Sequence, residues 1–537
     1  MGIPYYFYVI TQKYKGILHS TKPFVDFYFF DFNGIIHPVC QNVLRKVSDN
    51  ENSTSFHKEA FEESVCTESW KYTLDLMKRL EPACGGGIFI DGVAPVAKIN
   101  QQRKRRYLSI LRHKMEGKNV IWDTNAISPG TSFMKKMATI LKETTSHHEC
   151  SFTFSSADEE GEGEHKIFQH IEDHKLHDKK IAIHGLDADL IMLSLLSHHR
   201  KIYLVRENKT STIEEPSISY LDIAALRTGI LQELRCSPDL IDNSFSAASC
   251  DLIESYVVAC FMLGNDFLPH LATVNLKKQG MDRLIGTLCE IQAAYDTTLV
   301  SGGSINVELL HKIIEKLAKT EDVDIAKVNE DYVKQKAFLQ TPMDAIEFYP
   351  IVPKNKARLA HMLYANGNAG AARWRSMYYK ELFGTKVFES HVVLSACRKF
   401  VEGIVWTYRY YKRMKKDPMW YYPYNYGPTL LDLSNFLFTE QAWVVTVQKE
   451  WESAQYSRLF VSSDIQLLSI MPVQSADILP VHIQNVMKDL LFGCSHMYPI
   501  EYPIQTYLKT HLWECSPILP PIDFERIRKA VARATKT

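Results

Sequence analysis

The chain has 537 residues, 46% of them hydrophobic and 23% charged, with 62 Lys+Arg against 62 Asp+Glu. That length exceeds what one hydrophobic core serves, so at least two packed regions are expected, and the composition is ordinary for a soluble globular protein. Balanced charge excludes any argument from net charge for a polyanionic partner, so a field at a site has to come from local segregation.

The start MGIPYY carries Gly2 but no Ser or Thr at position six, so it does not support a myristoyl anchor. No apolar run approaches the roughly 18 residues a membrane helix needs. The eleven cysteines are scattered, with no CxxC pair and no secretory signal ahead of them. They read as free thiols in a reducing compartment, which also counts against a zinc site. The expectation is a soluble intracellular protein.

In chain order, DFYFFDF (26–32) and GGIFIDG (86–92) are apolar runs ending in Asp, expected as buried strands. Between them, SDNENSTSFHKEAFEE (48–63) reads as a polar loop or insertion. ISPGTSFMKKMATILK (127–142) holds a Pro-Gly turn, then Thr131 as an N-cap, then Phe133, Met134, Met137, Ile140 and Leu141 on one helical stripe. GEHKIFQHIED reads as a helix, and KIAIHGLDADLIMLSLL (180–196) as strand, glycine turn and helix. This alternation predicts an α/β fold built on a doubly wound, mostly parallel sheet. From about residue 300 helical patterns follow polar connectors, and aromatics cluster in WRSMYYKELFG (374–384) and WTYRYYKRMKKDPMWYYPYNYGP (406–428). A soft boundary is placed between 300 and 335, separating an α/β region over 1–320 from a mainly helical region over 335–537.

Ligands of open parallel sheets bind at the carboxyl ends of the strands. Asp31 closes FYFFD, Asp91 closes GIFID, Asp187 and Asp189 follow KIAIHGL, and Asp266 closes the apolar run YVVACFMLGND (256–266), taken as a further strand end. Glu162 and Glu164 come from DEEGEGEHK (158–166), which puts five carboxylates in seven positions. Taken singly, an Asp after a strand is more often a helix cap or turn former, and an acidic loop is more often solvated. Together, seven carboxylates on one rim repel one another unless cations hold them. Hard divalent ions with oxygen ligands, Mg²⁺ or Mn²⁺, are the natural remedy, typically as a pair serving phosphoryl transfer.

After Asp91 comes GVAPVAKINQQRKRRYLSILRHK, expected to be helical from about 97. Lys98, Gln102, Arg105 and Arg106 then share one face. Alone, the run is a solvated basic helix; beside an acidic rim it suits a phosphate.

The stretches MGIPYYF, DFNGIIH (31–37), DGVAPVAKINQQRKRR (91–106), DTNAISPGTSFM (123–134), EGEGEHK (160–166), GLDADLIMLSL (185–195) and LGNDFLPH (263–270) resemble, in order and spacing, the XRN family of 5′→3′ exoribonucleases. That family lies within the wider PIN/flap-endonuclease-like group. WRSMYYKELFG, VEGIVWTYRYY, MWYYPYNYGP and LLSIMPVQSADILP extend the resemblance over nearly the whole chain. It implies that Asp31, Asp91, Glu162, Glu164, Asp187, Asp189 and Asp266 bind two Mg²⁺ ions, and that Lys98, Gln102, Arg105 and Arg106 hold a 5′-terminal monophosphate in a pocket too tight for a cap. It further implies that His37 and a tryptophan, Trp420 with Trp406 as the alternative, stack on the first bases. Aromatic faces accept any base, at roughly 1–3 kcal/mol each, which suits a processive enzyme; the other reading of Trp420 is a core aromatic.

Two departures stand out: Val96 where the family usually carries a basic residue, and Lys104 where Gly is common. The long C-terminal extension of the cytoplasmic branch and the Cys/His knuckle of some nuclear members are not in this sequence, which is expected to be a minimal catalytic body. The expected activity is processive, Mg²⁺-dependent 5′→3′ hydrolysis of 5′-monophosphorylated single-stranded RNA in RNA decay, in the cytoplasm or alternatively the nucleus. Rival readings are a structure-specific 5′ DNA or flap nuclease with the same acids, and an inactive RNA-binding scaffold. KRMKK (412–416) reads as a weak nuclear signal or, preferably, a basic patch on a nucleic-acid channel.

Overall fold

The computed structural model describes residues 3–49, 56–117, 120–147, 151–185, 187–208, 217–365, 371–385, 390–454, 461–488 and 492–535. The first region is a seven-stranded sheet in the order β1-β7-β6-β5-β2-β3-β4. The strands are β1 (Leu18–His19), β2 (Phe27–Asp31), β3 (Gly85–Phe89), β4 (Phe152–Ser155), β5 (Ile181–His184), β6 (Ile202–Asn208) and β7 (Ser217–Asp222). β4, β3, β2, β5 and β6 run parallel, whereas β7 and β1 add antiparallel edges. The chain winds from β2 out through β3 to β4, then returns to lay β5 and β6 on the other flank. The strand order therefore reverses beside β2, at the β2/β5 junction, where the doubly wound topology opens its ligand crevice.

Alternation within FYFFD explains the layering. Tyr28 and Phe30 enter a core formed with the helices α2 (Asn33–Asp49), α3 (Lys58–Leu80) and α5 (Ser132–Ser146), while Phe29 enters the core on the opposite face. That second core takes in α1 (Tyr6–Lys13), α6 (Gly163–Asp173) and α7 (Ala188–Leu196) and runs without interruption into the helical region, through the helices Ser390–Tyr411 and Leu430–Ser453. The basic run forms the long helix α4 (Val96–Glu116), and Thr131 caps α5 by accepting from the Met134 N–H at 3.3 Å.

Two expectations need correction. The apolar run ahead of Asp266 is not a strand: it belongs to the helix Ala247–Cys260 and a 3-10 turn, Phe261–Leu263. Continuous burial of its side chains, which a central strand and a buried helix share, hides the difference in the sequence. The polar stretch 48–63 is not one loop either. Its first two residues end α2 and residues 58–63 open α3, with residues 50–55 outside the described part. Among the described residues, no helix is long and apolar enough to cross a membrane, and ten cysteines are free thiols.

Candidate active site

The acids converge at the carboxyl end of the sheet. Asp31 is the last residue of β2, and Asp91 follows β3 by two residues. Glu162 and Asp187 occupy the N-cap positions of α6 and α7, yet neither side chain makes a capping hydrogen bond, so the commonplace role for an acid there is not the one they play. Glu164 and Asp189 follow in the first turns. The positive ends of two helices thus face the cluster and ease the crowding of charge. Asp266 arrives from elsewhere, on a loop that turns at Gly264, where φ is +88° and a Cβ would lie 2.6 Å from the His270 nitrogen.

Several hydrogen bonds orient the carboxylates. Asn33 Nδ2 donates to Asp91 Oδ2 at 2.9 Å, and the Gly163 N–H donates to Asp91 Oδ1 at 2.7 Å. A side chain at Gly163 has no room, since a Cβ there would sit 2.7 Å from the Phe89 carbonyl oxygen and 3.0 Å from Asp31 Oδ1. From the helical region, the Tyr410 hydroxyl donates to Glu162 and the Tyr411 hydroxyl donates to Asp189. Lys98 points from α4 into the acids, ion-paired with Glu162 and, at 2.9 Å, with Asp266.

Electrostatics follow from this crowding. Burial, and then the charges of Asp91 and Asp187, push Asp31 well above the usual carboxylate range. Burial, then Asp189 and Glu162, does the same to Glu164. Asp189 is raised to about 7, by burial first and Asp266 second. Burial opposes the charge on Lys98, but Glu162, Asp266, Glu164 and Asp189 outweigh it and hold the ammonium proton firmly. Among the described residues, Lys98 is the ammonium ion-paired within this set of seven carboxylates, which leaves a deficit of positive charge. Oxygen-only donors of this density fit hard divalent cations. Glu162 and Glu164 offer oxygens, and His165 a ring nitrogen, within 4.8 Å of one another.

The expected phosphate face is only partly assembled. Arg106 donates to Ser128 Oγ at 2.5 Å, tying α4 to the DTNAISPGTSFM turn, and burial, then Arg105, lowers its pKa to about 10. Gln102 keeps its Oε1 buried without a hydrogen-bond partner, and Arg105 is exposed. Lys98 departs from this group, because its ammonium joins the acids. His37 lies on α2; neighbouring protein, and after it the charges of Arg105 and Arg106, lower its pKa, although the residue keeps solvent-exposed surface.

Both tryptophans offered as base-stacking residues are enclosed by protein in this arrangement. Trp420 is 3% exposed, its ring stacked on Trp406 at 5.1 Å and its Nε1 donating to Glu402 at 3.0 Å. Trp406 is itself fully buried and stacks on Tyr410 at 4.9 Å. Both indoles are core groups that carry the tyrosine pair. KRMKK divides: Lys412 is paired with Glu254 at 2.9 Å, while Arg413 and Lys416 line a cleft of about 550 Å³ with His165, Lys166 and Tyr410. Val96, apolar where a base was expected, is buried in a small core with Ile465 and Leu468.

Asn33, Tyr410 and Tyr411 escaped the sequence reading. Asn33 lies inside DFNGIIH and was within reach; the tyrosines lie more than two hundred residues from their acids, and no local pattern links them.

A family model described as the XRN 5′-3′ exonuclease N-terminus matches residues 1–208, and one described as the Xrn1 helical domain matches residues 250–347 and 367–537. The chain is 26% identical over 605 residues to the 5′-3′ exoribonuclease 1 of Homo sapiens, with 99% of this chain and 34% of that protein covered. It is 24% identical over 679 residues to the 5′-3′ exoribonuclease 1 of Saccharomyces cerevisiae, covering 99% and 43% respectively. It is 23% identical over 724 residues to the 5′-3′ exoribonuclease 2 of Debaryomyces hansenii, covering 99% and 70%. The chain thus spans between about a third and a half of the length of the first two relatives.

Proposed function

Since the chain belongs to the XRN 5′-3′ exonuclease family, we propose that it is a 5′→3′ exoribonuclease that hydrolyses 5′-monophosphorylated single-stranded RNA to mononucleotides. The observation that carries this reading is the seven-acid rim at the β2/β5 crevice, held by two tyrosines, an asparagine and one lysine, beside a helix face bearing Gln102, Arg105 and Arg106. Asp31, Asp91, Glu162, Glu164, Asp187, Asp189 and Asp266 would hold two Mg²⁺ ions. When bound, such ions supply charge for the scissile phosphate and a reactive water at neutral pH.

The protein's own groups do the rest. Tyr410 and Tyr411 fix the orientation of Glu162 and Asp189, so these carboxylates do not have to reorganise when they take up charge. Arg106, anchored on Ser128, and Arg105 present guanidinium donors to a terminal phosphate, and a guanidinium matches phosphate geometry better than an ammonium does. His37, exposed and close enough to Arg105 and Arg106 to feel their charges, offers its ring to a base. In the neighbouring cleft Lys416 offers the strand that follows a cation, within a lining of mixed charge that also holds Arg413, Lys166, Glu159, Glu160 and Asp173.

The test compares one labelled RNA bearing a 5′-monophosphate, a 5′-hydroxyl or a cap, each with and without Mg²⁺. Mononucleotide release from the monophosphate alone, and with metal alone, is the expected result. Equal cleavage of all three ends would remove the phosphate pocket from the mechanism, and no cleavage in any lane would overturn the activity.

A further inference from the structure

A second cavity, of about 220 Å³, lies on the flank of α4 away from Gln102 and Arg106. Ala97, Gln101, Lys104 and Leu108 form its α4 wall, at i, i+4, i+7 and i+11, so they follow one stripe turned well away from the phosphate face. The rest of the lining includes Asn265, Asp266 and His270, then Tyr424, and then Lys509, Trp513 and Glu514. Arg105 stands at the border between the two faces and lines this cavity as well.

Three features of the lining point to one kind of ligand. The first is an excess of positive charge: Lys104, Arg105, Lys277 and Lys509 line the cavity against Asp266 and Glu514, and those two acids are paired with Lys98 and Lys277. Among the described residues, neither Lys104 nor Lys509 is ion-paired with a carboxylate; the Lys509 ammonium instead sits 3.3 Å from His270 Nε2. Burial, then the charge of Arg103, lowers Lys104 to about 8, and burial also lowers Lys509. Enclosed ammonium groups without counter-ions are costly unless an anion joins them. Lys277 adds a third ammonium, already partnered by Glu514 at 2.6 Å.

The second feature is a pair of unsatisfied amide atoms. Asn265 Oδ1 accepts from the Phe267 and Leu268 N–H groups at 2.9 and 2.8 Å, which fixes the amide, and its Nδ2 is buried without a partner. Gln101 Oε1 is likewise buried without a donor. One free donor and one free acceptor in the same cavity complement the edge of a nucleobase. The third feature is aromatic surface: Trp513, Tyr5 and Tyr424 all line the cavity, the first two with ring centroids 6.1 Å apart. The volume is below that of most drug-sized pockets and leaves no room for a strand.

We propose that this cavity, which adjoins the acid cluster at Asp266, is a second nucleotide site that takes a single nucleoside monophosphate. Lys104 and Lys509 receive its phosphate, Trp513 and Tyr424 flank its base, and Asn265 with Gln101 meets the base edge. The ligand is of the same chemical class as the product of the proposed hydrolysis, so its source in the cell rests on that reading, whereas binding itself does not.

The test is isothermal titration of the whole chain in EDTA with AMP, adenosine and inorganic phosphate, for the wild type, for the double variant Lys104→Gln/Lys509→Gln, and for Arg106→Gln. AMP is expected to bind the wild type more tightly than either fragment. The double variant should bind it at least roughly tenfold more weakly, from the loss of two charge-assisted contacts, while Arg106→Gln leaves the site intact. Wild-type affinity in the double variant overturns the site. So does loss of binding in Arg106→Gln alone, which would put AMP on the other face of α4. Adenosine binding as well as AMP, or phosphate binding as well as AMP, overturns the nucleotide assignment. Should the double variant fail to fold, photolabelling of the wild type with 8-azido-AMP decides: label in the peptides holding Tyr424 or Trp513 supports the site, and label elsewhere or none overturns it. Degradation of 5′-phosphorylated RNA is measured on the same preparation, so a protein that degrades RNA but fails these tests loses only the second site.

Discussion

The Tyr411 hydroxyl donates to Asp189 Oδ1 at 2.5 Å, so a residue of the helical region sets the orientation of a carboxylate in the sheet region's acid cluster. Tyr410, its neighbour, does the same for Glu162. Adjacent residues on a helix point about 100° apart, so the pair reaches acids on two different helices, α6 and α7. The candidate site is in this sense built by both regions.

Tyr411→Phe removes the hydroxyl and little else. Outer-shell partners of metal ligands are worth roughly 10–100-fold in affinity or activity. We expect a loss in that range, with a weaker apparent affinity for Mn²⁺, whereas Asp189→Ala should abolish cleavage and leave RNA binding partly intact. A Mn²⁺ titration of activity for both variants checks this. Wild-type behaviour of Tyr411→Phe would leave the hydroxyl a packing contact, and near wild-type cleavage by Asp189→Ala would remove Asp189 from the metal site.

Lys98→Met tests the ammonium that is ion-paired with Glu162 and Asp266. Breaking a buried ion pair costs about 3–5 kcal/mol, so in EDTA the variant should melt well below the wild type. Added Mg²⁺ should raise its melting temperature more than it raises that of the wild type, because a divalent cation relieves the repulsion that the lysine had relieved. Equal Mg²⁺-induced shifts in the two proteins would sever Lys98 from the cluster's charge balance.

Trp420→Ala distinguishes a core indole from an RNA-stacking one. With its ring on Trp406 and against Gly403, where a Cβ would lie 2.8 Å from the indole, the truncation should destabilise the fold by about 3–5 kcal/mol. Thermal melting reads this directly. An unchanged melting curve with weakened RNA binding would return Trp420 to the substrate.

Glu321 carries a pH dependence outside the site. It accepts from the Leu430 and Leu431 N–H groups at the start of the helix Leu430–Ser453, and burial raises its pKa to about 7. A raised folded-state pKa means that the native protein binds the proton more tightly than the unfolded chain does. Stability from this group is therefore greatest below about pH 4.5 and declines as pH rises to about 7, by about 3 kcal/mol in all. Glu321→Gln should flatten denaturant-derived stability across that interval; an unaltered slope would mean that the carboxyl titrates normally.

Much of the nuclease half was legible because its signals are local. The periods of FYFFD and KIAIHGLDADLIMLSLL, the Thr131 cap and the acids just past each strand all depend on residues within a few positions, and six of the seven acids sit where that grammar puts them. The run before Asp266 misled because uniform burial erases periodicity, so a helix and a central strand look alike.

What the sequence by itself determined is the parallel sheet, the acid rim at its carboxyl end and the basic helix beside it, since backbone period and the residue types at strand ends specify them. Tertiary structure alone decided which partners the side chains take. Lys98 left its helical face for Glu162 and Asp266 because the enclosed carboxylates outbid solvent for its charge. Trp420 and Trp406 became a buried stack because aromatic area is worth most where water is excluded. Tyr410 and Tyr411 met acids more than two hundred residues away because only the closed core brings those surfaces together.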